Sequence, residues 1–391
     1  MKRLVIVGGG FAGVWAALAA SQQRADTGPA DAGATITLIN RDPWLTIRPR
    51  LYEAALEDVR VPLAAVLDPA GVELVQAEVR LIDTDARRLA IDRAEQPLSY
   101  DCLVLAGGSH TARPRLPTLA RAFGVDDFAE ATALSEHLKT VARSPVSEAA
   151  RAAAVVVGAG FTGIEVATTL IDRLRAVVGP DARVTIVERA GSPAMDMSER
   201  ARAHVKQALA TLGIAVLCGR TVSAIRDDGV EMDDGEWIPA ATTVWTGGLR
   251  ASDITAQIRV ERDELGRLPV DAFQRVAGIA GLYAAGDVAR TVVDGHHVAP
   301  MSCQYATQTG RTAGFNALAE LCGRGPQPFS PRPYVTCLDL GGAGALFTSG
   351  WNRDIQLTGY WASIMKQTIN RRLIYPPITG TGVAAGTGAA R

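Results

Sequence analysis

Residues 3–13, RLVIVGGGFAG, set an apolar run directly before a G-x-G-x-x-G pattern made by Gly8, Gly10 and Gly13. The pattern predicts a buried β-strand, a tight turn and an α-helix. In such a turn the first glycine permits the backbone conformation and the second lets a pyrophosphate approach. The third lets the helix pack closely on the strand. The phosphate would lie at the helix N-terminus, where free N–H groups favour an anion.

The opening residues also have a second interpretation. MKRLVIV followed by ALAA (residues 17–20) resembles a secretory signal, with basic residues, an apolar run and a small-residue cleavage site. That interpretation leaves the glycines without a role. The rest of the chain gives them one, so we expect the first residues to be retained and the protein to be cytoplasmic.

The strand and glycine turn occur a second time. Residues 153–163, AAVVVGAGFTG, place Gly158, Gly160 and Gly163 at the same spacing. Each copy leads through a helical stretch into a second strand, which ends at Asn40 in the first copy and at Glu188 in the second. Strand, helix and strand at these spacings predict two parallel βαβ units, and therefore two nucleotide-binding domains on one chain.

The polar residues that end these second strands are candidates for cofactor recognition. Glu188 would accept the adenosine ribose hydroxyls and repel a 2′-phosphate, which favours NADH over NADPH. Arg189 follows directly and leaves NADPH open. Asn40 either bonds a ribose or serves as a turn residue, and Arg41 beside it is a further candidate for cofactor binding.

The predicted fold class is α/β, with two Rossmann-like dinucleotide-binding domains and a short C-terminal region. We expect residues 1–115 and 270–325 to form one discontinuous domain and residues 116–269 to form the other. Residues 326–391 form the C-terminal region, in which we expect an amphipathic helix and, from residue 380, a mobile tail.

Composition excludes several other classes. Forty basic and 41 acidic residues leave a net charge of −1, which gives the chain no general attraction to nucleic acid. Five scattered cysteines argue against a disulfide framework or zinc site, and five histidines show no metal-binding spacing. No apolar run reaches the ~20 residues of a membrane span.

Residues 281–289, GLYAAGDVA, add a third motif, with Gly286 and Asp287 at the end of a short apolar strand. Together with the two glycine turns it resembles the flavoproteins with two dinucleotide-binding domains. The segments LTIRPRLYEAAL, FTGIEVA, VWTGGLR and CQYATQTGRTAGFNA are similar to those of type II NADH:quinone dehydrogenases. This resemblance covers residues 1 to about 325.

The resemblance implies a site for each cofactor. Gly8, Gly10, Gly13 and Asp287 would bind FAD, whereas Gly158, Gly160, Gly163 and Glu188 would bind NADH. Glu165 matches a glutamate close to the nicotinamide and flavin. Gln304 and Gln308 match a segment that lines the flavin and quinone site. The implied activity is transfer of a hydride from NADH to the flavin and of two electrons to a quinone.

The segment that contains these glutamines also has a physical interpretation. Residues 299–323 contain a proline and then a predicted helix with Ser302 as its N-cap. A helix N-terminus directed at the flavin would stabilise negative charge on the reduced ring. Glu165 then has a positioning or proton-handling role, or it only supports its own helix.

The electron acceptor is open at this stage. Residues 356–377 place Leu357, Tyr360, Trp361, Ile364, Met365 and Ile369 at helical spacing, with Lys366, Arg371 and Arg372 on or near the polar side. Such a helix would lie on a membrane, pack on its own protein or pair with a second subunit.

Alternative acceptors are a redox-protein partner, or a sulfide or thiol substrate handled by Cys303 and Cys337.

Overall fold

The computed structural model describes residues 2–377 apart from 27–32, 93, 115 and 117. Two parallel sheets, of five and four strands, and three three-stranded antiparallel sheets carry most of the strands of the described residues. The α-helices are α1 Phe11–Asp26, α2 Leu63–Leu67, α3 Phe128–Thr140, α4 Glu148–Arg151, α5 Phe161–Val178, α6 Glu199–Thr211, α7 Cys303–Leu321 and α8 Gly359–Thr368. This architecture confirms the α/β fold class predicted from the sequence.

The first parallel sheet has five strands. Their spatial order is Leu282–Ala284, Cys102–Leu105, Lys2–Val7, Ala34–Asn40 and Glu73–Gln76. Every neighbouring pair is parallel. The inner strands are buried on both faces, which explains their continuous apolar sequences. One edge strand therefore comes from a part of the chain about 180 residues beyond its neighbour in the sheet.

The second parallel sheet has four strands, in the order Ala215–Cys218, Arg183–Glu188, Ala153–Val157 and Thr242–Trp245. It repeats the strand, turn, helix and strand of the first sheet, as the sequence repeat predicts. A short antiparallel pair, Ser109–Thr111 with Leu249–Ala251, lies where the chain passes between the two sheets. The domain limits given above stay a prediction.

Smaller strands complete the fold. They are Val79–Asp83, Arg88–Ile91 and Leu98–Ser99 in one sheet, Val222–Arg226, Gly229–Met232 and Trp237–Pro239 in another, and the pairs Trp44–Thr46 with Arg60–Pro62 and Leu268–Pro269 with Ala289–Arg290.

The C-terminal region contains a sheet that the sequence analysis did not predict. Its three antiparallel strands are Val335–Asp339, Ala345–Ser349 and Asp354–Thr358. Helix α8 packs on this sheet and continues as the π-helical turn Ile369–Leu373. Leu357 therefore lies in a strand and not on the predicted amphipathic helix, because the polar and apolar residues of 354–358 alternate as in a strand. The tail from residue 380 lies outside the described residues.

Lys366 is not on a polar face of α8, so that part of the prediction was wrong. The residue is 8% exposed, because its side chain turns inward to a carboxylate from α5. Tyr360 and Trp361 are exposed instead. Among the described residues, no helix is long and apolar enough to cross a membrane.

Helices α1 and α7 approach each other at backbone contact. A Cβ atom on Gly310 would lie 2.2 Å from the carbonyl oxygen of Ala12, and one on Gly314 would lie 2.0 Å from that of Ala16. Two glycines one helical turn apart thus face two alanines at the same spacing. This contact fixes the position of α7 against the helix that follows the first glycine turn.

We expect Gly314→Ala to lower the free energy of unfolding by about 1–3 kcal/mol, because the added methyl group must push the two helices apart. In an unhindered helix the same change would raise stability by ~1 kcal/mol. Chemical denaturation monitored by circular dichroism measures the effect.

Gly325→Ala is the control for the substitution itself, since Gly325 lies in the loop after α7 and no atom of the described residues is within 4 Å of a Cβ built there. Equal stability of Gly314→Ala and the control would show that the helices tolerate the added methyl group.

Candidate functional site

The first glycine turn leaves open space at the start of α1. Gly8 has φ +110°, and a Cβ there would lie 2.3 Å from the carbonyl oxygen of Ala106. A Cβ on Gly13 would lie 1.8 Å from the carbonyl oxygen of Gly8. Gly10, in contrast, has no atom of the described residues within 4 Å of its Cβ position. The protein itself thus requires the outer two glycines, whereas the middle one leaves room beside the helix N-terminus.

The second turn has the same geometry. Gly158 has φ +108°, and its Cβ would lie 2.9 Å from Thr246 Oγ1. A Cβ on Gly163 would lie 1.9 Å from the carbonyl oxygen of Gly158, whereas Gly160 has open space around it. Both helices α1 and α5 therefore present an accessible N-terminus next to a small-residue turn, which is the environment that a pyrophosphate needs.

Asn40 and Glu188 occupy equivalent positions in the two repeats. The backbone N–H of Gly9 donates to Asn40 Oδ1 at 2.8 Å, and that of Ala159 donates to Glu188 Oε2 at 2.6 Å. The second Glu188 oxygen accepts from the Ala190 N–H at 2.7 Å. Each side chain therefore holds the middle of its glycine turn, and its role at a ribose stays a prediction.

Arg41 and Arg189, the neighbours of these two side chains, are both exposed. The exposed position of Arg189 leaves it accessible to a 2′-phosphate, so the preference for NADH that Glu188 indicates stays a prediction.

Asp287 lies at the end of the first sheet, directly after the strand Leu282–Ala284. Ser109 Oγ donates to its Oδ2 at 2.6 Å, and Arg48 Nη1 lies 3.8 Å from the same oxygen. Burial raises the pKa of the Asp287 carboxyl, and the Arg48 guanidinium and the Ser109 hydroxyl oppose that rise. Gly286, with φ +70°, brings this turn against α1, where its Cβ would lie 2.8 Å from that of Ala12.

These observations fit the two expected dinucleotides. The open positions beside Gly10 and Gly160 offer each pyrophosphate a helix N-terminus. The partly buried hydroxyl of Ser109 and carboxylate of Asp287 offer hydrogen-bonding groups suited to a polyol chain such as that of FAD. In the described part of the chain, no group of three or more His, Cys, Asp or Glu side chains is arranged to hold a metal ion.

A buried ion pair joins the second repeat to the C-terminal region. Lys366 Nζ donates to Glu165 Oε1 at 2.7 Å and to the carbonyl oxygen of Cys337 at 3.0 Å. The two charged side chains are 10% and 9% exposed. Burial raises the pKa of the Glu165 carboxyl, while the Lys366 ammonium and a backbone N–H limit that rise. The proton affinity of this carboxyl group is thus set by its burial first and by the neighbouring lysine and backbone N–H second.

Tyr52 and Asp339 extend this pair into a network. The backbone N–H of Asp339 donates to Glu165 Oε1 at 3.1 Å, and Tyr52 Oη donates to Asp339 Oδ2 at 2.9 Å. Lys366 Nζ lies 5.7 Å from the centre of the Tyr52 ring. Burial and the two nearby carboxylates raise the pKa of Tyr52, so its hydroxyl remains a donor at neutral pH.

The first turn of α7 connects the network to Asp287. Burial raises the pKa of the Cys303 thiol to about 11, and the charges of both Lys366 and Asp287 reach it. Cys337 lies near Lys366 and Glu165, its Sγ directed to the carbonyl oxygen of Ala362, and burial raises its pKa to about 11 as well. Both thiols therefore lie at the site in their neutral form.

Gln304 and Gln308 lie on one face of α7 and bind the segment that enters the C-terminal region. Gln304 Nε2 donates to the carbonyl oxygen of Pro333 at 2.9 Å, and the backbone N–H of Arg332 donates to Gln308 Oε1 at 2.7 Å. Ser302 caps the helix, as the sequence predicts. The role of the two glutamines at a flavin or quinone stays a prediction.

Five residues of the site were not among the candidates from the sequence, namely Arg48, Tyr52, Ser109, Asp339 and Lys366. Arg48 stands within the segment LTIRPRLYEAAL, which carried the family resemblance, so that match already contained a signal for it. Ser109 follows two glycines and has no distinguishing pattern. Lys366 was assigned to a polar face because helical spacing does not reveal a partner 201 residues away.

Comparisons with known proteins agree with this arrangement. The model of the pyridine nucleotide-disulphide oxidoreductase family matches residues 2–310. A NADH dehydrogenase-like protein of Mycobacterium tuberculosis is 43% identical over 97% of this chain and 96% of its own. A type II NADH:quinone oxidoreductase of Staphylococcus aureus is 28% identical over 98% of this chain and 97% of its own.

The fold also matches solved structures. The structure of NDH2 from Plasmodium falciparum in complex with NADH superimposes with a TM-score of 0.81, at 14% identity, over 96% of this chain and 95% of that one. At this identity the similarity concerns the fold alone.

We expect Lys366→Met to lower the free energy of unfolding by about 3–5 kcal/mol at neutral pH, because it leaves the Glu165 carboxylate buried without its cation. The Glu165 pKa, already raised, would rise further. The carboxylate would therefore be protonated over a wider pH range, and the loss should shrink as the pH falls through this higher pKa. Denaturant unfolding at several pH values measures both effects.

The double variant Glu165→Gln/Lys366→Met removes both charges and should recover much of the loss. A single variant whose deficit does not change with pH, and which the second substitution does not rescue, would contradict a charge-pair origin.

Proposed function

Because this chain belongs to the pyridine nucleotide-disulphide oxidoreductase family and is an FAD-dependent NADH dehydrogenase, we propose that a quinone receives the electrons that it takes from NADH. The observation that carries the proposal is the Glu165–Lys366 pair. It places a buried carboxyl group with a raised pKa and a lysine partner between the second glycine turn and the C-terminal region. Quinone reduction needs such a group, since the quinone takes up two protons with its two electrons.

We assign the residues that hold the two cofactors by the geometry above. Gly8, Gly10, Gly13, Asn40, Arg41, Gly286 and Asp287 would bind FAD, and Gly158, Gly160, Gly163 and Glu188 would bind NADH. Bound FAD supplies the two-electron chemistry, as an acceptor of hydride from NADH and a donor to the quinone. No protein nucleophile is needed.

The protein residues then have orienting and proton-handling tasks. Glu188 selects the dinucleotide without a 2′-phosphate, because a carboxylate repels that group. The Glu165–Lys366 pair would pass protons to the acceptor, with the proton on Lys366 Nζ while Glu165 is ionised. Tyr52 and Asp339 keep the pair in one orientation. Gln304 and Gln308 join α7 to the segment 331–333, which forms one side of the proposed acceptor site.

The neutral state of the two cysteines favours a quinone over a sulfide or thiol substrate. Nucleophilic attack on sulfur requires a thiolate. The pKa values of Cys303 and Cys337, each raised to about 11, keep both thiols protonated near pH 7. A redox-protein partner remains an alternative acceptor, and a direct turnover comparison separates it from a quinone.

An exposed patch on α8 and the following turn supports membrane contact. Tyr360, Trp361 and Leu373 are 73%, 67% and 66% exposed, and Arg371 and Arg372 are exposed beside them. Aromatic side chains next to arginines suit the boundary between lipid headgroups and acyl chains. We infer a peripheral position on the anionic inner face of the membrane, where a lipid-soluble quinone is available.

We expect NADH to bleach the absorbance of the bound flavin under anaerobic conditions, and a short-chain quinone to restore it. Stopped-flow absorbance measures both half-reactions. A flavin spectrum unchanged by NADH would refute the NADH dehydrogenase assignment. A bleached flavin that ferredoxin-like proteins reoxidise, and quinones do not, would instead support the redox-protein alternative.

We expect the protein to float with vesicles that contain anionic lipid and to bind purely zwitterionic vesicles more weakly. The double variant Tyr360→Ser/Trp361→Ser should lose most of this binding, since it removes the apolar anchors. Leu81→Ser is the control, because Leu81 is also exposed, at 55%, but lies in another sheet. Equal flotation of the wild type, the double variant and Leu81→Ser would contradict the role of the patch in membrane binding.

A further inference from the structure

The turn Gly350–Arg353, here called the hairpin tip, joins two strands of the C-terminal sheet and reaches the second glycine turn. Arg353 has φ +52°, a left-handed conformation that non-glycine residues rarely adopt. Its side chain is only 11% exposed. A strained and buried arginine in a short turn indicates that the surrounding contacts hold it in place.

Arg353 contacts the beginning of α5. Its guanidinium carbon lies 4.8 Å from the centre of the Phe161 ring. Phe161 is the first residue of α5 and follows Gly160 directly, so it stands at the helix end to which the NADH pyrophosphate is assigned. A guanidinium over an aromatic face is attracted by the ring electrons and restricts the ring to one position.

Arg353 also holds the loop that follows Glu188. Its Nη1 forms an ion pair with Asp196 Oδ2, and its carbonyl oxygen accepts a hydrogen bond from Ser198 Oγ at 3.3 Å. The same loop binds the glycine turn itself, since the N–H of Ala194 donates to the carbonyl oxygen of Ala159 at 3.0 Å. One side chain thus contacts both segments that flank the proposed NADH site.

The remainder of the hairpin tip is anchored on α7 and on the segments on either side of it. The Trp351 ring stacks on His297 at 4.2 Å between centres and lies 6.4 Å from Tyr305 of α7. Arg353 Nη2 donates to Tyr334 Oη at 2.8 Å, and the Tyr334 ring lies 5.0 Å from that of Trp351. These contacts hold the tip against the segments that carry Asp287 and α7.

We propose that Arg353 is a positioning residue for NADH, which fixes Phe161 and the loop after Glu188 from the C-terminal region. The proposal rests on the assignment of NADH to the second glycine turn. Arg353 acts through its neighbours and does not take part in the chemistry. The C-terminal region would thereby serve the NADH site as well as the acceptor site.

The test compares steady-state kinetics of Arg353→Gln and Asp196→Asn in the FAD-loaded, full-length protein. We expect each variant to raise KM for NADH on the order of tenfold, the effect of losing one charge-assisted hydrogen bond. KM for a short-chain quinone and kcat at saturating NADH should stay close to wild type. The double variant should be no worse than Arg353→Gln alone, because Asp196 acts only through its ion pair with Arg353.

Asn352→Ala is the matched control, since Asn352 is an exposed neighbour in the same hairpin tip. Its KM for NADH should not change. Glu188→Ala serves as the positive control for the NADH site itself. Unchanged KM for NADH in Arg353→Gln, or an equal rise in KM for NADH and quinone, would overturn the proposal.

The positioning role of Arg353 and the assignment of NADH to the second glycine turn can be refuted separately. If Glu188→Ala raises KM for NADH and Arg353→Gln does not, only the positioning role is lost. If neither variant affects NADH, the assignment of the second turn is wrong. Should Arg353→Gln fold poorly, Asp196→Asn keeps the test intact, since Asp196 is 58% exposed and its loss removes only the ion pair.

Discussion

The backbone contact between α1 and α7 is the constraint on which the cofactor site depends. Gly310 and Gly314 let the two helices meet without side chains between them. This contact holds the beginning of α7 beside Asp287. Thr309 Oγ1 on α7 adds to it by accepting a hydrogen bond from the backbone N–H of Gly286 at 2.9 Å. A wider separation would move the first turn of α7 away from both Asp287 and Lys366.

The C-terminal region completes the site and is not an appendage to it. Lys366 neutralises a carboxylate that belongs to the second glycine repeat, and Tyr375 donates to the carbonyl oxygen of Asp58 at 2.7 Å and contacts the buried Arg50. The C-terminal region therefore forms polar contacts both with the second glycine repeat and with the segment that contains Arg50 and Asp58. The positive charge of Lys366 also stabilises the fold, because Glu165 would otherwise be a buried acid with no counter-ion.

The sequence was sufficient where local chemistry decides the structure. Gly8 and Gly158 stand in turns whose left-handed backbone requires glycine, so the two repeats could be found by pattern alone. Asn40 and Glu188 differ in charge but hold their turns in the same way. Their equivalent positions in the two repeats were therefore informative, even though Asn40 lacks a carboxylate. Lys366 could not be placed, because its burial depends on a partner from another sheet. The C-terminal sheet was missed since its strands are short, and the helical spacing around Leu357 concealed the last of them.

The origin of the edge strand Leu282–Ala284 has a consequence for synthesis on the ribosome. The strands Lys2–Val7 and Cys102–Leu105 leave the exit tunnel early, but their sheet gains its last strand only after the second glycine repeat has been made. Until then the strand Cys102–Leu105 has an unpaired apolar edge, and α1 lacks the helix that covers it. The second repeat, whose four strands all lie within residues 153–245, can fold as soon as it emerges. The nascent chain therefore folds from its middle outward, and the half-finished first sheet is the stage most exposed to aggregation and to chaperones.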